Sequence, residues 1–384
     1  MTRRTWIPVA AAAAVIVAIV VAIVAVRPWS SSTTTAARGT ATPTSTTAPD
    51  ATRSPEQLRS AFLDRYVEGG RVVRTDQGGD TVSEGQAYGL LIAYANGDRA
   101  RFEAIWQWTK EHLLTDDDLL AWRWTSDEGV ADEQSASDAD LDAARALVLA
   151  GKAWDDDRYT AAGKRIAAAI LEHETARTDL GTILLPGPWA DQEPYRYNAS
   201  YASPAAFSVL ADATGDDRWN ALNRGSRAAT AAVLDASDLP SDWSQVHADG
   251  SVDPMPAVGG DGRVLYGYDA MRTPLRYAEA CSAPDRELAA ALAPTLGRTT
   301  RLASQLDLGG TPVTRDTNPL AYTARAAAEQ AAGSSRAAAD DLERADRTAA
   351  TTPTYYGDAW LAIGSTMLTS DVLGGCAEDV GGGS

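Results

Sequence analysis

Apolar residues recur at three- and four-residue spacing along most of the chain after residue 55. This period places them on one face of an α-helix, so about a dozen helices are predicted. Most of these segments open with Asp, Ser or Pro, which favour a helix N-terminus, and Gly-, Pro- or Asp-rich stretches separate them. The predicted helices begin near Pro55, Ser83, Asp98, Asp138, Asp156, Pro204, Asp216, Thr273, Pro284, Pro319, Ser334 and Pro353.

No run of alternating polar and apolar residues predicts a strand, so the pattern is typical of one large all-α domain, residues 55–384. Twelve helices in consecutive pairs is the number in an (α/α)6 barrel, a toroid of six helical hairpins. Three long stretches lie outside the predicted helices, at 114–137, 175–202 and 235–270, and they concentrate Trp and Tyr. Connections of this length in a compact domain are usually functional.

The N-terminal segment has a different pattern. From Thr5 to Val26 no residue is charged, and these 22 residues would rise about 33 Å as a helix, enough to cross a hydrocarbon core of about 30 Å. Two arginines precede the run, so we expect residues 1–27 to be a signal anchor, a single transmembrane helix with the large domain outside the cell. The alternative is a cleaved signal peptide and a secreted protein.

Residues 28–54 are rich in Ser, Thr, Ala and Pro and contain almost no large apolar side chain. Such a segment cannot bury enough surface to fold, so it is predicted to be a flexible linker. Folding is expected to resume at the end of this linker. There Ser54 can cap a helix, Pro55 occupies its first turn and Gln57 completes a capping box.

Charge and composition limit the classes of ligand and cofactor that the protein is expected to bind. The chain has 34 basic and 52 acidic residues, a net charge of −18, which argues against nucleic acid because phosphate binding needs clustered Lys and Arg. Its three His and two Cys form no zinc or iron–sulfur motif, so we predict no metal site and no cofactor. Cys281 and Cys376 are expected to form a disulfide. Trp and Tyr far outnumber Phe, which suits a wet groove as well as a core.

The first motif with candidate chemistry is SEGQAYG, residues 83–89. Ser83 and Gln86 are expected to form a capping box, which places Glu84 in the first turn of a helix. Glu84 could simply complement the helix dipole. However, two glycines weaken a helix at this point and allow another group to approach closely.

Two further acidic motifs follow along the chain. SASDADLD, residues 135–142, puts three carboxylates within five residues; acids there can cap a helix, but at this spacing they also shift one another's pKa. YGYDAMRTP, residues 266–274, sets Asp269 three residues before Arg272, either as a surface ion pair or as a held carboxylate. Two separated carboxyl groups in an aromatic groove fit glycosidic hydrolysis, in which one protonates the leaving oxygen and the other activates water.

At these motifs the sequence resembles glycoside hydrolase family 8, whose members are inverting endoglucanases, chitosanases, lichenases and xylanases on an (α/α)6 barrel. The resemblance covers about residues 58–370, and residues 136–154 follow the family signature closely, with Ala143 where the family usually has Ile or Met. It implies that Glu84 is the proton donor and Asp269 the general base. Asp138 then corresponds to a third acid that positions the sugar.

The same resemblance implies which residues contact a glucan. Trp122, Trp189, Tyr201 and Tyr356 would line sugar subsites, although Ala199 stands where the family often has Pro. Tyr268 and Arg272 would hold the base and the substrate. The set expected to bind substrate comprises Tyr88, Trp122, Trp124, Asp140, Trp189, Tyr201, Tyr268, Arg272, Tyr355 and Tyr356.

The expected function is that of a monomeric, inverting endo-β-1,4-glucanase that hydrolyses cellulose-like β-glucans outside the cell. The alternatives are a chitosanase, lichenase or xylanase of the same family, or a non-catalytic glycan-binding protein at the cell surface. The motif around Asp269 argues against the subgroup that lacks it, where many chitosanases fall. The acidic surface argues the other way, because it would attract cationic chitosan.

Overall fold

The computed structural model describes residues 52–258 and 260–376, and this part of the chain is mostly helical. Every predicted helix is confirmed, with its start within two residues of the expected position, and one short additional helix, α10, lies after α9. The helices are α1 Pro55–Tyr66, α2 Ser83–Ala95, α3 Arg99–His112, α4 Ser137–Trp154, α5 Asp157–His173, α6 Pro204–Thr214, α7 Arg218–Ala236, α8 Thr273–Ala278, α9 Ala283–Ala290, α10 Ala293–Leu296, α11 Pro319–Ala331, α12 Ser335–Thr351 and α13 Tyr355–Thr369.

Alternate helices form a closed ring. Helix α2 contacts α4, and the contacts continue through α6, α8, α11 and α13 back to α2. Most residues of α2, α4, α8, α11 and α13 are buried, whereas the outer helices α3, α5, α7 and α12 bury one face only. An inner ring buried nearly all round and an amphipathic outer layer are consistent with an (α/α)6 barrel.

One of the two predicted capping boxes is wrong, and the reason is informative. The capping box at Ser54 and Gln57 is present. In contrast, Ser83 lies inside α2, and the side chain of Gln86 accepts from the Val72 amide at 2.6 Å. The hydroxyl of Ser137 donates to the Leu185 carbonyl at 2.6 Å rather than capping α4. These polar residues are used in tertiary contacts because their helices begin inside the protein.

The expectation that the chain has no strands is wrong. The described residues contain ten short strands: β1 Val67–Glu68, β2 Arg71–Val72, β3 Thr81–Val82, β4 Ala121–Thr125, β5 Gly129–Ser135, β6 Thr175–Thr178, β7 Gly181–Leu184, β8 Tyr195–Tyr197, β9 Trp243–Val246 and β10 Val252–Met255. They form four antiparallel sheets, two of them in the orders β3-β4-β5 and β10-β9-β8. At two to seven residues each, they are too short to show a clear alternation. The three long non-helical stretches contain seven of them.

The predicted transmembrane helix, residues 1–27, and the predicted linker up to residue 51 lie outside the described residues. Within 52–258 and 260–376, none of the helices combines the length and the apolar character needed to span a bilayer. The last residues of the predicted linker are packed on the domain: Arg53 pairs with Asp346 at 2.6 Å, and Ser54 caps α1. The structure joins Cys281 and Cys376 in a disulfide.

Candidate active site

The guanidinium of Arg272 collects the three carboxyl groups singled out from the sequence. Its Nη1 lies 2.7 Å from Asp138 Oδ2 and 3.5 Å from Glu84 Oε2. Its Nη2 donates to Asp269 Oδ1 at 2.7 Å. Arg272 is completely buried, so these charges meet where water screens them little. Residues far apart in sequence thus converge on one cation.

The inner ring explains this convergence. Glu84 lies in the first turn of α2 and Asp138 in the first turn of α4, while Asp269 immediately precedes a 3-10 turn, Ala270–Arg272, that leads into α8. The three inner helices therefore begin at the same place, and each brings one acid there. Gly85 is needed next to Glu84 because a Cβ at this position would collide with the Tyr355 hydroxyl.

Glu84 is the carboxyl group best suited to donate a proton. Burial raises the pKa of Glu84 to about 7, and the negative charges of Asp138 and Asp269 add to the increase against the pull of Arg272. The side chain is still 20 % exposed, so a bound ligand can reach it. Its distance of 3.5 Å from Arg272 is longer than those of the other two acids, so Arg272 stabilises its charged form least.

Asp269 is held as a carboxylate from both sides. One oxygen accepts from Arg272, and the other accepts from the indole Nε1 of Trp243 at 3.0 Å. The two donors fix the plane of the carboxylate. The side chain is 25 % exposed, so it combines a fixed orientation with access to water. This is what a general base requires.

Asp138 is much less accessible than the other two acids. Its side chain is only 2 % exposed, with one oxygen on Arg272 and the other accepting from the Ala139 amide at 2.9 Å. Burial raises the pKa of Asp138, while Arg272 opposes the shift. In this structure Asp138 holds Arg272, and its expected contact with a sugar stays a prediction.

Aromatic rings extend from the acids in two directions. Trp243 packs against Trp189 and Tyr201, each at 6.1 Å between ring centroids, and Tyr201 lies under the Arg272 guanidinium at 5.1 Å. On another side, Tyr268 meets Tyr356 edge-on at 6.1 Å, and the Tyr356 hydroxyl donates to the Tyr268 carbonyl at 3.2 Å. Trp189, Tyr201, Tyr268 and Tyr356 are all partly exposed and surround the predicted acid and base.

The two tryptophans of β4 have different surroundings. Trp122 is partly exposed. Trp124 packs edge-on against Trp108 at 5.3 Å and His112 at 5.9 Å on the outer helix α3, with the Arg71 guanidinium 5.1 Å from its ring. Irregular pairing between β4 and β5 on both sides of Arg123 accompanies this difference. Trp124 therefore supports the outer layer.

Besides Arg272, three residues predicted to bind substrate are buried. The Tyr88 hydroxyl accepts from Arg272 at 3.2 Å and from the Trp360 indole at 3.0 Å, so Tyr88 supports the cation from behind. Tyr355 packs against Phe62 at 6.2 Å and is 1 % exposed. These side chains lie in the interior because neighbours in a motif point to different sides of a helix, and their expected contact with substrate stays a prediction.

Asp140 is the third of these, and it is fully buried. Its Oδ1 accepts from the Leu120 amide at 2.7 Å, which fixes the start of β4 against α4. Burial, together with the charge of Asp138, raises the pKa of Asp140 well above its ordinary value, and the same happens to its neighbour Glu174. One oxygen of each carboxyl group has no hydrogen-bond partner among the described residues, and burial favours the protonated form of both groups.

Below Arg272, two further ion pairs continue between the same two segments. We call the Asp138–Arg272 pair the upper rung. The middle rung is Arg276 with Asp142, bidentate at 2.7 and 2.6 Å, and the lower rung is Arg145 with Glu279, bidentate at 2.9 and 2.7 Å. In all three rungs the partners are 134 residues apart, so α4 and the segment ending in α8 run parallel in fixed register. All of these side chains are buried.

Sequence reasoning missed Asp242 and did not assign a role to Trp243. Asp242 accepts from the Gly267 and Ala270 amides at 3.0 and 2.8 Å, and Trp243 holds Asp269. Trp243 falls in an aromatic-rich stretch, which was a usable signal; Asp242 had none, because its partners are backbone amides of a distant turn. Nowhere in the described part of the chain do three or more His, Cys, Asp or Glu side chains come together in a way that could hold a metal ion.

Comparison with curated proteins gives two similar endoglucanases. An endoglucanase from Cellulomonas uda is 31 % identical over 226 residues, 57 % of this chain and 61 % of that protein. A probable endoglucanase from Novacetimonas hansenii is 32 % identical over 238 residues, 60 % of this chain and 68 % of that protein. The chain thus aligns with about three fifths of the first relative's length and somewhat more of the second's.

Solved structures share the fold over most of the chain. The endo-β-1,4-glucanase CMCax from Acetobacter xylinum superposes with a TM-score of 0.68 at 25 % identity, covering 82 % of this chain and 97 % of that one. A β-1,3-1,4-glucanase from Paenibacillus sp. X4 gives a TM-score of 0.70 at 21 % identity, covering 84 % and 92 %. Residues 29–365 match the family model described as glycosyl hydrolases family 8, from a point inside the predicted linker almost to the end of α13. The chain belongs to glycosyl hydrolases family 8.

Proposed function

We propose that this protein is an inverting endo-β-1,4-glucanase with Glu84 as general acid and Asp269 as general base. The observation that carries the proposal is the difference between the distances from Arg272 to the two carboxyl groups. Arg272 holds Asp269 at 2.7 Å, which fixes the orientation of the base, and lies 3.5 Å from Glu84, whose raised pKa keeps a proton available. Environments that separate two titrating groups in this way identify an acid and a base.

In the proposed reaction Glu84 gives its proton to the glycosidic oxygen as the bond to the anomeric carbon breaks. Asp269 takes a proton from a water molecule, whose oxygen bonds to the anomeric carbon from the opposite face. The product therefore has the α-configuration. Arg272 and Trp243 hold the base in place, and the rings of Trp189, Tyr201, Tyr268 and Tyr356 offer faces for sugar units.

The β-1,4-linked substrate is proposed from the named relatives. The Acetobacter xylinum protein of the same fold is described as an endo-β-1,4-glucanase, and both curated relatives as endoglucanases. A hydrolysis panel of carboxymethylcellulose, lichenan, xylan and chitosan tests this choice, with the highest kcat/KM expected on carboxymethylcellulose. Higher kcat/KM on any other member would replace the proposed substrate without changing the proposed acid and base.

The catalytic assignment is tested by Glu84→Gln and Asp269→Asn, measured as reducing-sugar release. We expect each to lower kcat by about 10³-fold or more, because general acid–base catalysis typically contributes a factor of about 10²–10⁴ to the rate. Glu56→Gln is the matched control, because Glu56 also lies in the first turn of a helix but is exposed. Wild-type activity in Glu84→Gln would refute the assignment, and a β-anomer as first product by proton NMR would refute inversion.

The raised pKa of Glu84, about 7, sets the alkaline limb of the pH profile. The general acid must be protonated in the free enzyme, so kcat/KM should fall as the pH rises through about 7. An alkaline limb set by an ordinary glutamic acid, several units lower, would contradict the proposed role of its burial.

We also propose that the protein acts at the outer face of the cell membrane, tethered by residues 1–27. The support is the uncharged run after two arginines, together with a disulfide, which persists in oxidising compartments. Fractionation of cells that express the full chain should leave the protein in the membrane after alkaline washing. Recovery from the medium with a new N-terminus would support the cleaved form instead.

A further inference from the structure

The turn that presents Asp269 is bracketed by a single carboxylate. Oδ1 of Asp242 accepts from the amides of Gly267 and Ala270, at 3.0 and 2.8 Å, so it bonds the backbone before and after Asp269. The amide of Asp242 itself donates to the Leu265 carbonyl at 2.8 Å. One residue therefore ties the turn at three points.

Two more observations indicate that this pair of hydrogen bonds, the bracket, supports Asp269. The next residue, Trp243, donates its indole to Asp269 Oδ2, so consecutive residues fix both the turn and the carboxylate that it carries. Position 267 must be glycine, because a Cβ there would collide with the Asp242 carboxylate. Glycine at position 267 therefore allows the turn to approach Asp242 this closely.

The charged and titratable groups that face Asp242 are Asp269, Arg272 and Tyr266. Burial and the charge of Asp269 raise the pKa of Asp242 to about 7, against the two amide hydrogen bonds and Arg272. Asp242 therefore changes its charge near neutrality beside a group that must stay ionised to act as a base.

We propose that Asp242 is a positioning residue for Asp269: it fixes the turn by accepting hydrogen bonds from the two amides that flank Asp269. This inference rests on the proposed function, since it gives Asp242 a role only if Asp269 activates water. Asp242 itself lies behind the turn and takes no part in bond making or breaking.

The test compares Asp242→Ala with Asp242→Asn in kcat, KM and the pH profile. The alanine leaves two amides without an acceptor, and displacement of a catalytic group by about 1 Å costs about 10²-fold, so we expect kcat to fall by that factor with KM almost unchanged. The asparagine keeps an acceptor oxygen and should retain most of kcat. Because Asp242 carries a proton below about pH 7, the asparagine changes no charge there, and the acid limb of kcat/KM should stay where it is in the wild type.

Asp307→Ala is the matched control. Asp307 accepts from the Gly309 and Thr311 amides at 3.0 and 2.7 Å in an exposed loop, the same type of bracket away from the acids, and its loss should leave kcat unchanged. Wild-type kcat in Asp242→Ala would overturn the positioning role, and a shifted acid limb in Asp242→Asn would show that Asp242 acts through its charge instead. If the alanine variant does not fold, Asp242→Asn still decides, because a fall of about 10²-fold in its kcat, with the acceptor oxygen kept, would overturn the role of the two amide hydrogen bonds.

Asp269→Asn, assayed alongside, separates this inference from the proposed function. Full activity in that variant would refute Asp269 as the base, whatever Asp242 does. An inactive Asp269→Asn with a fully active Asp242→Ala would refute the bracket alone.

Discussion

The upper rung of the three buried ion pairs and the two rungs below it use the same residue types but differ in the number of acids per arginine. In the middle and lower rungs one arginine meets one carboxylate in a bidentate pair. At the upper rung Arg272 faces Asp138, Asp269 and Glu84 together, so three carboxyl groups share one cation. About one helical turn separates the balanced pairs from the unbalanced cluster.

This difference shows how one set of helices can provide both a scaffold and a reactive centre. In a balanced buried pair one positive and one negative charge compensate each other. In the unbalanced cluster at least one carboxyl group is favoured in its protonated form, and Glu84, held least tightly, takes that role. The surplus of acids creates the chemistry, and the balanced rungs keep it in position.

The largest effect is expected from breaking a balanced rung. Arg276→Met leaves Asp142 buried and unpaired, so the free energy of unfolding should fall by about 3–5 kcal/mol. Urea denaturation measures this loss. The double variant Arg276→Met with Asp142→Leu removes both charges and should recover most of it. Equal stability of the single and double variants would show that the rung carries no buried charge penalty.

The disulfide offers a second way to weaken the lower end without touching the acids. The Cys376 amide donates to the Glu279 carbonyl at 2.8 Å, and the Leu373 carbonyl accepts from Arg145, so the bridge holds the segment that closes the lower rung. Cys281→Ala with Cys376→Ala should cost about 2–4 kcal/mol of unfolding free energy. Its kcat at low temperature should match that of the wild type, with the reduced wild type as control. A kcat as low as that of Glu84→Gln would place the bridge in the site itself.

At the upper rung a substitution should raise the free energy of unfolding instead of lowering it. The pKa of Glu84 rises from 4.5 to about 7 on folding, so the folded state keeps a proton that the unfolded state releases between these values. Wild-type stability therefore falls as the pH rises through that window. Glu84→Gln does not titrate and should be more stable than the wild type above pH 7, by about 1–3 kcal/mol, and equal to it near pH 4.

Denaturation of Glu84→Gln at several pH values measures this difference. Glu56→Gln again provides the control, because an exposed glutamate should give no pH-dependent difference. A Glu84→Gln variant that is less stable than the wild type at high pH would mean that the carboxylate is needed to compensate Arg272.

The smallest effect concerns the support behind the cation. Tyr88→Phe removes an acceptor for both Arg272 and Trp360, which should cost about 1 kcal/mol, or about fivefold in kcat/KM. Arg59→Gln is a fair comparison, because Arg59 is also bonded to a hydroxyl, that of Thr366, but on the outer side of the ring. A loss as large as that of Asp269→Asn would make Tyr88 part of the reacting centre.

Much of the helical framework could be predicted from the sequence. Period and caps located each helix because amphipathic burial repeats every turn, and the motifs named Glu84, Asp138, Asp269 and Arg272, which the structure brings together. The paired strands could not be predicted, because strands of two to seven residues leave too few positions to show alternation.

The roles of buried neighbours were also beyond sequence reasoning. Tyr88 and Asp140 stand in the right motifs but face the interior, where they hold Arg272 and Leu120. Asp242 was invisible because its bonds go to backbone amides, which have no sequence signature. A motif indicates which residues gather at a site and leaves open which of them touch the ligand.

The lower rung differs from the other two in one respect, since its arginine lies on α4 and its acid follows α8. If α4 slid by one turn against its partner in either direction, one new attractive pair would form beside one like-charge pair, two acids or two arginines. With all rungs in the same orientation, a slipped arrangement would be almost as well paired as the native one. The reversal therefore means that a slip of one turn would bury a like-charge pair, which disfavours the slipped alignments against the native one.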